Sequence, residues 1–125
     1  YVAQLLPDGA SRYMVLRIAV TEAESWVLAD RAAFARYFSV ATDLIHRDPD
    51  ALMDAKGSLL GIIRKSRSRR LREAILPSGP GASHGPDYNG SLIRFLYEAW
   101  SIDRAATASM SLRKAQEAVS RVRYP

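Results

Sequence analysis

TEAESWVLADRAAFARYFSVATDLI, residues 21–45, decides the fold. Trp26, Val27, Ala33, Phe34, Tyr37, Phe38, Ala41, Leu44 and Ile45 recur at spacings of three and four, the repeat that lines one side of an α-helix. Thr21 and Glu24 stand three apart at its start, so Thr21 is expected to cap the first free amides while Glu24 reaches back to close a capping box. The spacing therefore predicts one long helix over 21–45, with His46 and Arg47 as cations at its C-terminal end. Asp30 falls between the apolar residues of that face, where an ionised carboxylate needs a partner. Arg17 is the candidate, and a structural ion pair is the expected role for Asp30 rather than a poised acid.

Working outward toward the N-terminus, residues 1–6 and 12–20 flank Pro7-Asp8-Gly9, a turn sequence. Met14, Leu16, Ile18 and Val20 alternate with Tyr13, Val15, Arg17 and Ala19. The expectation is a β-hairpin over 1–20 that covers the long helix. Toward the C-terminus, Asp48-Pro49-Asp50 supplies a cap, a first-position proline and a negative charge. A second long helix is expected from about Pro49 to Leu76. Its sector of Leu60, Ile63, Leu71 and Ala74 also takes in Arg67 and Arg70, and unpaired guanidiniums are not buried. Either the helix bends or ends near Ser66 to Ser68, or its last turns project into water, or these arginines meet acidic partners.

PSGPGASHGPDYNG, residues 77–90, holds four Gly and three Pro and reads as an exposed loop. Helical spacing returns with Leu92, Phe95, Leu96, Ala99 and Trp100, and Ser101 and Asp103 mark a break. Ala105, Ala108, Leu112, Ala115, Val119 and Val122 then make a seam of mostly small residues. The fold class expected is mainly α with an added β-hairpin (α+β): one domain over 1–125 with about four to five helices. Its parts are the hairpin, two long helices over 21–76, the loop, and helices over 91–123. The chain begins with Tyr1 rather than Met, which suggests a piece of a larger protein.

The chain has 125 residues, of which 48% are apolar and 25% charged, a composition that offsets the entropy of ordering and excludes a disordered or collagen-like chain. It has no Cys, so disulfides, thiolate metal sites and cysteine nucleophiles are excluded. No apolar run is long enough to cross a membrane. An intracellular location is the expectation.

Chemistry is sparse. His46 and His84 have no ligand-spaced partners, so no metal is expected. Gly57-Ser58-Leu59-Leu60-Gly61 lacks the Gly-Lys-Ser/Thr ending of a nucleotide loop, and no Gly-x-Ser-x-Gly elbow occurs. The small-xxx-small spacing of Gly57 and Gly61 fits a close helix contact instead. Asp48, Asp50 and Asp54 suit a helix N-terminus and lack the spacing of a calcium loop. No cofactor and no enzymatic activity are expected.

Charge is the main clue. Of 18 Lys and Arg against 13 Asp and Glu, six cations fall in RKSRSRRLR, residues 64–72, which contains no acid. The remainder of the chain is close to neutral, so the pI near 9.9 reports this one run. On an ideal helix Arg64, Lys65, Ser68, Arg69 and Arg72 would fan over one side, a surface suited to tracking phosphates. Solvated cations near a helix C-terminus are the plainer interpretation of the same run. Ser66 and Ser68 within it are candidate phosphorylation sites that would subtract charge. The functional expectation is a non-catalytic module that binds nucleic acid through Arg64, Lys65, Arg67, Arg69, Arg70 and Arg72. The alternative is a protein-assembly or homo-oligomerisation module that uses the Ala-rich C-terminal helix or the face from Leu92 to Trp100.

Overall fold

The computed structural model describes residues 23–121. The helices are α1 (23–29), α2 (Arg31–Phe38), α3 (Ala55–Ile63), α4 (Arg69–Ile75), α5 (Tyr88–Glu98), α6 (Ile102–Ala108) and α7 (Met110–Ser120). Short 3-10 turns lie at Thr42–Leu44 and Pro49–Ala51. Among the described residues there is no strand, so the fold is mainly helical and the α+β expectation is corrected. The hairpin over 1–20, with Arg17, lies outside the described residues. The apolar side of α2, for which that hairpin was the expected cover, is covered by helices. Phe34, Phe38 and Phe95 meet at the centre with ring centroids 4.5–5.7 Å apart, and Leu59, Ile63 and Ile75 close around them with no exposed surface.

The helix expected over 21–45 is interrupted twice. Asp30 leaves the helical region at φ −87°, ψ 74°, and Ser39 takes a left-handed conformation at φ 56°, ψ 50°. The first break has a tertiary cause. Asp30 is 2% exposed, accepts the Ser101 amide at 2.9 Å and pairs with Arg104 at 3.0 Å. Its partner among the described residues is Arg104, seventy-four residues away, while the expected Arg17 lies outside them. Glu24 accepts from the Tyr88 hydroxyl at 3.0 Å, while Thr21, its expected capping-box partner, lies outside the described residues. Burial and that carboxylate together push the Tyr88 phenol well above its ordinary range.

The second long helix is likewise divided. Pro49-Asp50-Ala51 forms a 3-10 turn behind Asp48, and the Asp50 side chain reaches the start of α7. There it accepts from the Ser109 hydroxyl at 2.7 Å, the Ser111 amide at 2.8 Å and the Ser111 hydroxyl at 3.0 Å. Burial works against the charged form of Asp50, yet these hydrogen bonds outweigh it and hold the carboxyl below its ordinary value. Asp54 becomes the N-cap of α3, accepting from the Gly57 amide at 3.0 Å. The first part of the small-residue seam packs internally: Ala105 and Leu112, with Ala106, are buried with Ala29 and packed against Trp26 and Trp100. The Gly/Pro loop ends earlier than expected, because Tyr88 already belongs to α5 and is buried. Gly85 and Asp87 donate their amides to the carbonyls of Ile75 and Ala74 at 2.7 and 2.8 Å, seating the end of the loop on α4.

Candidate phosphate-binding corner and the cavity beside it

The expected fan of cations on a single helix is not what forms. α3 ends at Ile63, Arg64 is its C-cap, and α4 begins at Arg69, so the run turns a corner over 64–68. Of the alternatives open in the sequence, the helix ends just ahead of Ser66, and the placement of Arg67 and Arg70 beside Leu60 and Ile63 is avoided. Ser66 is the pivot, at 4% exposure. Its hydroxyl donates to the Phe38 carbonyl at 2.6 Å and accepts from the Ser68 amide at 3.0 Å. The Arg67 amide donates to the Ser39 carbonyl at 2.9 Å. The corner thus satisfies two carbonyls at the C-terminal end of α2, which an isolated helix leaves unpaired. Ser68 then caps α4, its hydroxyl accepting from the Leu71 amide at 3.3 Å.

The six cations divide into two groups. Arg69 pairs with Glu73 at 2.8 Å, and Arg72 donates to the Ser66 carbonyl across the corner. Arg64, Lys65, Arg67 and Arg70 are exposed and make no side-chain hydrogen bond or ion pair among the described residues. Ser66, with its hydroxyl committed on both sides and out of solvent, is not an accessible modification site in the folded state.

A cavity of about 550 Å³ adjoins the corner. One wall is the turn at 42–46, held from behind by Arg31, whose guanidinium donates to the carbonyls of Ile45 and Thr42, each at 2.9 Å. α3 lines it with Ser58, Gly61 and Ile62, and Lys65 of the corner joins them. His46 lines it too, and does not act as the helix-end cation expected: its Nδ1 accepts from the Asp48 amide at 2.9 Å. A neutral His46 ring so bonded carries its proton on Nε2. This cavity was not legible in the sequence. His46 and Gly61 each had a local structural reading, and Asp43, His46 and Gly61 lie on segments that only the fold brings together.

Elsewhere, His84 Nδ1 lies 3.0 Å from Lys56 Nζ and 3.1 Å from Ser83 Oγ, an arrangement that ties the loop to α3. Among the described residues no group of three His, Asp or Glu could hold a metal ion. No helix among them is long and apolar enough to cross a membrane. Ile93, Leu96 and Tyr97 of α5 are exposed beside Trp26 and Trp100 and border an apolar groove. No family model matches the chain, and neither a curated protein nor a solved structure is similar to it.

Proposed function

We propose that the protein is a non-catalytic module that binds the phosphates of nucleic acid through Arg64, Lys65, Arg67 and Arg70. One observation carries this reading: within residues 64–70, these four cations face solvent with no carboxylate partner among the described residues. Guanidinium and ammonium groups so placed take up phosphate oxygens and release condensed counterions. Arg69 and Arg72 have other tasks. Arg69 is offset by Glu73, and Arg72 braces the corner that presents the other four.

Titration of a labelled oligonucleotide at two salt concentrations tests the reading. Four phosphate contacts to a single strand give a slope of log K against log salt of about −3, so affinity falls roughly 50-fold between 50 and 200 mM. The variant Arg64→Ala/Lys65→Ala/Arg67→Ala/Arg70→Ala is expected to flatten that slope toward zero. Retention of both affinity and slope in the variant refutes the proposal.

A second reading is favoured by the exposure of Ile93 (52%), Leu96 (37%) and Tyr97 (88%) on α5: self-association through this face. In the Ala-rich seam, Ala105 and Leu112 are already buried within the molecule, whereas Val119 is exposed at 37%. Light scattering over a concentration series discriminates, since a strict monomer at high concentration removes it.

A further inference from the structure

We propose that the cavity between the 42–46 turn and α3 receives one unstacked base of a single-stranded nucleic acid whose phosphates lie on the adjoining cations. This rests on the phosphate-binding reading above and gives it a preferred substrate, the single strand.

The connection is made by Lys65, which belongs both to the unpartnered cations and to the cavity wall. A strand with a phosphate on Lys65 therefore has its neighbouring base within reach of the cavity. The interior suits a base better than a second phosphate. Leu44, Leu52 and Ile62 supply apolar surface for the flat face of a ring, while Asp43 contributes a carboxylate with no hydrogen-bond or ion-pair partner among the described residues. An unpaired carboxylate repels a phosphate and accepts from an exocyclic amino group, as acidic side chains do from the N4 amine of cytosine. The Nε2–H of neutral His46 and the Ser58 hydroxyl add donors for ring nitrogens and carbonyl oxygens. The space continues past α3 at position 61, where a Cβ built on the glycine meets no atom within 4 Å. The volume falls within the range of about 300–1,000 Å³ typical of small-molecule sites. A base in a duplex is paired and stacked and reaches such a cavity only after extrusion, which is why the proposal selects single strands.

The test compares labelled ten-residue oligo(dC), oligo(dA), oligo(dT), an abasic deoxyribose-phosphate oligomer of equal length, and a duplex, by fluorescence anisotropy at one salt concentration. Oligo(dC) and oligo(dA), whose bases carry amino groups, are expected to bind about tenfold more tightly than the abasic oligomer, with oligo(dT) between them. Gly61→Leu projects an isobutyl group into the cavity and is expected to weaken oligo(dC) toward the abasic level while leaving the abasic affinity unchanged. Asp43→Ala, at an exposed position, is expected to narrow the gap between oligo(dC) and oligo(dT). Circular dichroism melting verifies that each variant is folded, and Asp43→Ala decides if Gly61→Leu is not. Equal binding of the abasic oligomer and oligo(dC), or an unchanged oligo(dC) affinity in the folded variants, overturns the base site and leaves phosphate binding standing. Failure of every oligomer to bind overturns both.

Discussion

Ser66→Ala removes one oxygen and leaves no cavity of consequence, so its effect isolates the hydrogen bonds that turn the basic corner. The lost hydroxyl is 4% exposed and serves two partners, the Phe38 carbonyl at 2.6 Å and the Ser68 amide at 3.0 Å. A buried polar group left unpaired costs about 1–3 kcal/mol. The Phe38 carbonyl lies in the buried interior and should take the upper part of that range, whereas the Ser68 amide is only partly buried and takes the lower part. Together they predict a loss of about 3 kcal/mol, against about 1 kcal/mol for Ser68→Ala, which removes only a helix N-cap. Urea denaturation followed by circular dichroism at 222 nm measures both. With a slope of about 1.5 kcal/mol/M for a chain of this size, the midpoint of Ser66→Ala should fall by about 2 M. A loss below about 1 kcal/mol, or one no larger than that of Ser68→Ala, refutes the assignment of Ser66 as pivot.

Asp30→Ala deletes the acceptor of both Ser101 and Arg104; because the exposed Arg104 regains water, the expected loss is about 3 kcal/mol in the same assay, toward the low end for breaking a buried ion pair. At Gly85, a Cβ would stand 2.5 Å from the Ala74 carbonyl oxygen and 2.7 Å from that of Leu76, so Gly85→Ala should cost about 2–3 kcal/mol and make the 77–87 loop markedly more sensitive to limited proteolysis. The Asp50 carboxyl is held below its unfolded value of 3.8, so its contribution is complete above that pH and is lost as pH falls through the lower folded value; Asp50→Asn should be less stable at neutral pH and show a shallower acid limb. Glu73→Gln frees Arg69 without touching the corner, and oligonucleotide titrations should show tighter binding by about two- to threefold with a salt slope steeper by about 0.7; no change in slope would place Arg69 outside the phosphate surface.

Much of this molecule is written in local pattern. The apolar repeat from Trp26 to Phe38 specifies helix and core face, since a 3.6-residue period needs no knowledge of the partner. The composition of 77–90 likewise specifies a loop, which the structure holds to 77–87, and the acid-free run at 64–72 specifies where positive charge gathers. What pattern could not supply was where helices stop. Asp30 breaks its helix because Ser101 and Arg104, some seventy residues on, claim its carboxylate. Ser66 ends the basic helix because the carbonyls left over at the end of α2 need donors. Both are hydrogen bonds between residues distant in sequence, and a local repeat carries no trace of them. The cavity beside Lys65 has the same origin: His46 and Gly61 read singly as a helix-end cation and a packing glycine, and Asp43 falls inside an expected helix. The amino-acid order alone determined the helical segments' core face and the site of charge, because these follow from periodicity and composition, while the added hairpin of the α+β expectation did not hold among the described residues. The corner, the division of its arginines into engaged and free, and the cavity were decided by tertiary contacts, because each depends on which buried donors and acceptors meet when the chain closes on itself.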